Sequence, residues 1–446
     1  MQRYRTALIL GAGLSGLGAA RLLTAEGTAV TVADARPEKE LAVAAQVLQD
    51  LGARTHFGQS HLPWEAFELG VVSPGFAWSS DWVQAAYAIC ARIVPELELG
   101  WSRAPCRVMA VTGSNGKSTA VKWCTETLIR AGLQATPAGN YGVSVCDAVL
   151  DHTELDWLVL EVSSFQLETV QEFRADIGLL TNIHPNHLDR HQSLSAYTDL
   201  KARLFARTRA EDVCLVPHAL LDEIRARSGG AGRWMSFGSV ADARYRFQEG
   251  QVLRDGTPIA DLRGTHFGTD AMADTASATV GGLDAVGVDP RHAVATARSF
   301  ESLPYRVQEV AVLNGVRYIN DSKSTNLAAI EFALGAVTGP VRLIAGGLAK
   351  ETDFERLKEV LEDRVESVYL IGNSAEQMFS VWSRAVSCVV CNTLDEAIRQ
   401  SGNDAQEGEA ILFSPGCASF DQFRNYEERG EYFTRRVQDL TGKGTS

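Results

Sequence analysis

A strand that runs into a glycine-rich loop and then into a helix with lysine on its first turn leaves few folds open. Residues 107–119 have that form: the apolar run Arg107-Val-Met-Ala-Val-Thr112 passes into Gly113-Ser-Asn-Gly-Lys-Ser-Thr119. The loop is two residues shorter than the full G-x-x-x-x-G-K-[ST] pattern, with Val at position 111, but its physical parts are present. Backbone N–H groups of Ser114, Asn115, Gly116 and Lys117 can cradle phosphate, Lys117 can reach the terminal one, and Ser118 can hold Mg²⁺. The rival reading, a glycine-rich turn with an exposed lysine, fits the preceding strand less well.

A second loop of this kind opens the chain. Gly11-Ala-Gly-Leu-Ser-Gly16 stands between the strand-like Ala7–Leu10 and the helical Leu14–Glu26, and Asp34 ends the next apolar run. Glycines allow a tight turn and close backbone approach to a diphosphate, while an acidic residue there can bind a ribose hydroxyl. NAD is the first inference, although the motif also suits another nucleotide or a plain turn. A dehydrogenase needs only this loop and a simple ATPase only the later one. A synthetase that joins a nucleotide-carrying substrate to something else at the expense of ATP needs both.

The 446 residues are 45% hydrophobic and 22% charged, a globular mixture long enough for about three domains. Alternating strand and helix patterns divide them into three α/β units, 1–100, 101–302 and 303–446. The expected architecture is a Rossmann-like N-terminal domain, a central P-loop ATPase-like parallel sheet and a C-terminal Rossmann-like domain. Beyond Ser228-Gly-Gly-Ala-Gly the pattern turns to short strands, read as a peripheral β region before a helix over Asp270–Val286. No run approaches 18 apolar residues, and Gly11, Gly13 and Gly16 interrupt the only apolar stretch near the N-terminus, so a cytoplasmic location is expected. A formal charge of −13 makes the chain a poor general binder of nucleic acid or anionic membrane. Of the eight cysteines only Cys388 and Cys391 are closely spaced; they read as part of a buried strand, with no metal assigned.

Glu161 ends the apolar run Trp157–Leu160, where a parallel sheet presents catalytic carboxylates. His184, His187 and His191 follow another strand, but Pro185 breaks the regular spacing a three-histidine zinc site would use, and Mg²⁺ prefers oxygen ligands such as Glu161. In the last unit Asn320-Asp-Ser-Lys-Ser-Thr-Asn326 gathers polar groups after a strand. Lys323 is a candidate for charge stabilisation near phosphate and Asp321 for orienting phosphate or a ribose; a solvated loop is the competing reading.

Taken together, Thr112–Thr119, Glu161-Val-Ser-Ser-Phe-Gln-Leu167 and the loop holding Asn182 and His187-Leu-Asp-Arg190 resemble the Mur ligase family of peptidoglycan synthesis. Asp321-Ser-Lys-Ser-Thr-Asn326 and Ser414-Pro-Gly-Cys-Ala-Ser-Phe-Asp-Gln-Phe423 are similar to its D-glutamate-adding members. The resemblance spans essentially the whole chain. It implies an ATP-dependent amide ligase that adds D-glutamate to UDP-N-acetylmuramoyl-L-alanine through an acyl phosphate, acting as a monomer with no nucleic-acid or membrane partner. It implies ATP and two Mg²⁺ ions as cofactors, together with a carbamylated lysine. Under it the first loop becomes a UDP site rather than an NAD site, with Ser15, Asp34, Arg36, Ser73 and Gly75 near the UDP end and Asn140 near the muramoyl portion. Gly113 through Thr119 would hold ATP, with Ser118 on one Mg²⁺ and Glu161, His187 and carbamylated Lys201 on the other. Arg306 and Asp321 would lie near the base and ribose. Thr325, Lys350, Ser419 and Tyr426 would surround the incoming amino acid, and Lys323 would act in catalysis. The nucleotide and substrate loops belong to different units, so domain closure is expected.

Five positions depart from the family pattern. Phe267 and Asp270 replace asparagines that help bind adenine, Tyr305 replaces the histidine before Arg306, Asn186 replaces the aspartate before His187, and Leu348 replaces an acidic residue. The alternative is therefore the same chemistry with L-glutamate or another acidic acceptor. A non-catalytic relative is set aside because Lys117, Glu161, His187, Lys201 and Lys323 are all present, and a dehydrogenase ranks last.

Overall fold

The computed structural model describes residues 3–186, 188–349 and 351–442. His187 and Lys350, both named above, lie outside them. Three α/β domains follow one another, each built on its own sheet.

The first sheet contains β1 (Thr6–Leu10), β2 (Ala29–Asp34), β3 (Arg54–Phe57), β4 (Phe67–Val72) and β5 (Cys90–Pro95) in the order β3-β2-β1-β4-β5. All its pairings are parallel. The chain moves outward from β1 on one side and from β4 on the other, so the loops after these two neighbours diverge and open the crevice in which such sheets bind ligands.

The central sheet has nine strands: β6 (Arg107–Thr112), β7 (Ala135–Gly139), β8 (Trp157–Glu161), β9 (Ile177–Leu180), β10 (Val213–Pro217), β11 (Arg233–Gly238), β12 (Tyr245–Gln248), β13 (Gln251–Arg254) and β14 (Thr257–Asp261). Their order is β14-β13-β12-β11-β10-β9-β6-β8-β7. The strands from β7 to β12 pair in parallel, and β12-β13-β14 form an antiparallel meander. The short-strand region beyond residue 228 is thus one edge of this sheet. β6, β8 and β9 are continuous apolar runs because helices cover both faces, as parallel sheets require.

The third sheet comprises β15 (Gln308–Leu313), β16 (Val316–Asn320), β17 (Val341–Gly346), β18 (Val365–Ile371), β19 (Ser387–Val390) and β20 (Ala410–Phe413) in the order β15-β16-β20-β17-β18-β19, parallel except for the β15–β16 hairpin. Cys388 is only half-buried on the edge strand β19, contrary to the buried strand expected, whereas Cys391, just past the strand, is fully buried. All eight thiols are free.

Contacts divide the chain into two compact units. One takes in 1–183, 195–262 and 274–298; the other takes in 184–194, 263–273 and 299–446. In the first, a single apolar cluster runs from Tyr4 to Ile224 through both the N-terminal and central domains. Ion pairs from Arg21 to Asp147 and Asp151, and from Arg103 to Glu26, link the two domains. In the second, apolar clusters cover both faces of the third sheet. No helix of the described residues is long and apolar enough to cross a membrane.

Candidate active site

The loop after β6 lies between the ends of β8 and β9, and both neighbours contribute to it. Gly116 precedes the helix Lys117–Arg130 in a left-handed conformation (φ 80°), and a Cβ there would approach the Thr275 hydroxyl to 2.8 Å, so only glycine fits without strain. The Ser114 amide donates to the Asn182 backbone oxygen (2.9 Å) and the Asn115 amide to Asn182 Oδ1 (2.9 Å). Those two amides are therefore taken up inside the fold. Of the cradle expected from Ser114 to Lys117, the other two amides, Gly116 and Lys117, stand at the start of the helix, where first-turn amides have no intrahelical partner. Thr181 Oγ1 donates to the Asn115 carbonyl at 2.6 Å. Neither Thr181 nor Asn182 drew a role from the sequence, although both directly follow an apolar strand beside the loop.

From the other side, Glu161 at the end of β8 is almost fully buried. Its Oε2 accepts from the Ser118 hydroxyl, and its Oε1 accepts from Asn140 Nδ2 at 2.7 Å. Asn140, assigned to the muramoyl portion, thus steadies the carboxylate. Ser118 and Glu161 are hard oxygen donors converging at the first turn of the helix Lys117–Arg130, a donor set that suits Mg²⁺, which completes its shell with water and phosphate oxygens. Among the described residues no group of three or more His, Cys, Asp and Glu side chains is arranged to hold a metal.

Two lysines meet at one oxygen. Lys117 Nζ donates to the carbonyls of Gly113 (2.8 Å) and Ser114 (2.9 Å). Lys201 Nζ, from the helix Leu194–Ala202, donates to the same Gly113 carbonyl at 2.8 Å and lies 4.5 Å from the centre of the Tyr197 ring. Lys201 is 1% exposed. Burial, aided by the charge of Lys117, pushes its pKa well below that of an ordinary lysine, with Glu161 opposing. Burial therefore favours the neutral amine of Lys201.

In the first domain the Gly11–Gly16 loop leads into the helix Leu14–Ala25, where Ser15 is half-buried. Ser73 follows β4, and its hydroxyl would lie 3.0 Å from a Cβ at Gly11, at the crevice between β1 and β4; exposed Gly75 is two residues on. Asp34 accepts from the Ala12 amide (3.0 Å) and from the Arg36 backbone and guanidinium. Burial alone would raise its pKa, but these hydrogen bonds hold it below the usual carboxylate range. Asp34 and Arg36 are thus engaged with each other and brace the glycine loop.

The remaining candidates gather in the second unit. Asp321, just past β16, accepts from Ser414 Oγ (2.8 Å) and the Val307 amide (3.1 Å), and burial pushes its pKa up to about 7. Arg306 immediately precedes Val307. The Lys323 ammonium lies 5.0 Å from the centre of the Tyr426 ring. Thr325 is half-buried in the same loop, and Ser419 is buried after β20. Phe267, at an adenine-contact position of the family, is fully buried against Phe300 (centroids 4.9 Å apart). His184 is half-buried and its pKa is lowered chiefly by burial, while His191 is buried.

Three family models match successive parts of the chain: the Mur ligase MurD-like N-terminal domain at residues 5–95, the Mur ligase middle domain at 111–267 and the Mur ligase glutamate ligase domain at 305–417. A relative named UDP-N-acetylmuramoylalanine–D-glutamate ligase from Acidobacterium capsulatum is 35% identical, covering 96% of this chain and 94% of its own. Relatives of the same name from Koribacter versatilis (98% of both chains) and Caldanaerobacter subterraneus (98% and 99%) are 32% and 31% identical. Among solved structures, the UDP-N-acetylmuramate–alanine ligase MurC of Thermotoga maritima superposes with a TM-score of 0.62 at 17% identity, over 98% and 100% of the two chains. MurF ligase from the same organism, in complex with ADP, gives 0.64 at 15% identity over 92% and 96%. The fold, the phosphate loop with its carboxylate and buried lysine, and the near-complete reach of these relatives converge: the chain belongs to the Mur ligase family.

Proposed function

We infer that the protein is an ATP-dependent acid–amino-acid ligase that joins D-glutamate to UDP-N-acetylmuramoyl-L-alanine in peptidoglycan precursor synthesis, releasing ADP and phosphate. The observation that carries this reading is the meeting of Lys117 and Lys201 on the Gly113 carbonyl, beside the Ser118–Glu161 pair. The division 1–100, 101–302 and 303–446 goes with it, as UDP-substrate, ATP and amino-acid domains.

In this reading the first-turn amides of the helix Lys117–Arg130 hold the ATP phosphates, and the Lys117 ammonium exchanges its carbonyl partners for the γ-phosphate. Mg²⁺, held by Ser118 and Glu161 when bound, offsets charge on the transferring phosphoryl group. The alanyl carboxylate of the substrate attacks the γ-phosphorus as the bond to ADP breaks. The glutamate amine then attacks the acyl carbon, loses a proton, and phosphate leaves. Lys201 as a neutral amine adds CO₂ and releases a proton, becoming a carbamate. That turns a group which repels cations into an anionic oxygen donor for a second ion, with Glu161 and His187. Lys323, Thr325, Lys350, Ser419 and Tyr426 receive the acceptor, Arg306 and Asp321 the nucleoside of ATP, and Ser15 and Ser73 with Asp34, Arg36 and Gly75 the UDP end.

The test is phosphate release from ATP with UDP-N-acetylmuramoyl-L-alanine and Mg²⁺, in parallel with D-Glu, L-Glu, D-Asp and no amino acid. Release dependent on D-Glu is the expected result. Release dependent on another acceptor moves the substrate and keeps the chemistry; no release with any acceptor overturns the reading.

A further inference from the structure

The loops after β16, β20 and β17 leave three adjacent strands of the third sheet, and one side chain lies beneath all of them. Arg429, on the helix Tyr426–Gly442, is 1% exposed. Its Nε donates to Ser322 Oγ (3.1 Å), and its Nη2 donates to the carbonyls of Ser322 (2.8 Å) and Cys417 (3.0 Å). Its Nη1 is buried without a hydrogen-bond partner among the described residues. It lies where a Cβ on Gly347 would come within 3.3 Å of it. No carboxylate of the described residues forms an ion pair with it. The two whose charge reaches it from nearby hydrogen-bond neutral groups, Asp321 with Ser414 and Val307, and Asp421 with the Asn373 amide (3.0 Å), and the Phe413 ring centre lies 5.9 Å from the guanidinium carbon.

If Arg429 served only to hold two loops together, its charge would be a burden, since a buried cation without a partner anion opposes folding. A neutral donor could satisfy the same carbonyls. The charge, with Nη1 left unpartnered, underlies the segments that carry Lys323, Thr325 and Ser419. We propose that Arg429 is a positioning residue for an anionic acceptor. Its fork fixes the Ser322–Lys323 and Cys417–Ser419 backbones relative to each other, and its charge, taken up by no direct ion pair, favours an amino acid with a second carboxylate. This rests on the ligase reading above and assigns the acceptor class to a residue outside the acceptor set named there.

The test compares R429K and R429M with the wild-type protein in the phosphate-release assay, with the KM of each substrate measured separately and thermal melting as the folding control. R429K keeps the charge and loses the fork. It is expected to raise the acceptor KM at least about threefold while the KM values for ATP and the UDP-substrate stay within about twofold. R429M loses the charge as well and is expected to raise the acceptor KM about tenfold or more, and to shrink the preference for glutamate over its uncharged isostere glutamine. An unchanged acceptor KM in R429K overturns the proposal even if R429M does not fold, as does an equal rise in KM for all three substrates. Absence of acceptor-dependent release in the wild-type protein overturns the ligase reading instead.

Discussion

At the residue scale the site turns on two lysines that share an oxygen but have different environments. Lys117 is partly exposed and poised on carbonyls it can leave, whereas Lys201 is enclosed. Replacing Lys117 with alanine is expected to lower phosphate release by about 10³-fold or more, because a preorganised charge at the transferring group is lost. The melting temperature should move by no more than a few degrees, since only a partly buried contact is removed; near-normal turnover would refute the assignment. For Lys201 the expectation is chemical. Arginine there keeps a cation that cannot add CO₂, so K201R should be inactive, and wild-type protein equilibrated with ¹³C-bicarbonate should show a carbamate carbon resonance that K201R lacks. Activity in K201R without that resonance would remove the carbamate from the mechanism. The strand, loop and helix of residues 107–130 were legible from their local pattern. The position of Lys201 was not: it contacts Gly113 across a separation of 88 residues, which only the folded central domain brings together.

At the element scale, legibility followed burial. β1, β6, β8, β9 and β17 are apolar runs and could be read directly. β3 (Arg54-Thr-His-Phe) and β7 (Ala-Thr-Pro-Ala-Gly) could not, because both lie at the ends of their sheets, where polar residues and proline are tolerated. The short helix Glu96–Trp101, which leads from the first domain into the central one, carries two buried acids that patterning would place outside. Glu96 Oε1 accepts from the Cys146 amide (2.8 Å), and Glu98 Oε2 accepts from three amides of residues 171–173. Burial raises the Glu96 pKa from 4.5 to about 7. The folded state therefore binds this proton more tightly than the unfolded chain does. The associated stability is fully present below about pH 4.5 and is lost as pH rises through 7. E96Q should flatten that decline, melting higher than wild type at pH 8 but not at pH 5; parallel melting curves across that range would show that Glu96 does not titrate there. The first glycine loop gives a steric counterpart. A Cβ at Gly16 would come within 1.9 Å of the Gly11 carbonyl oxygen, so G16A should destabilise the first domain by about 1–3 kcal/mol, as overpacking does, read as a lowered denaturation midpoint.

At the scale of the whole molecule, three domains and two compact units are not the same division. The N-terminal and central domains share one apolar cluster, and the helix Leu14–Ala25 is packed so closely that a Cβ on Gly18 would meet Ser144 Oγ at 1.9 Å. The third sheet has clusters of its own on both faces. Sequence patterning counts sheets and so finds three units; it does not register that a core continues from one sheet to the next, because that depends on which helix faces meet. Chains with separate cores need not unfold in one step. Calorimetry of the full chain is therefore expected to show two transitions rather than three. The P-loop lies wholly in the unit containing the first two sheets, so tripolyphosphate with Mg²⁺, which lacks the nucleoside assigned to Arg306 and Asp321, should raise only the transition of that unit, by about 2.7 kcal/mol at a hundredfold excess over its Kd. Gly18→Val, which forces the two shared domains apart, should lower that same transition and leave the other in place. Three transitions, or a tripolyphosphate effect on both, would mean that the shared core does not govern unfolding.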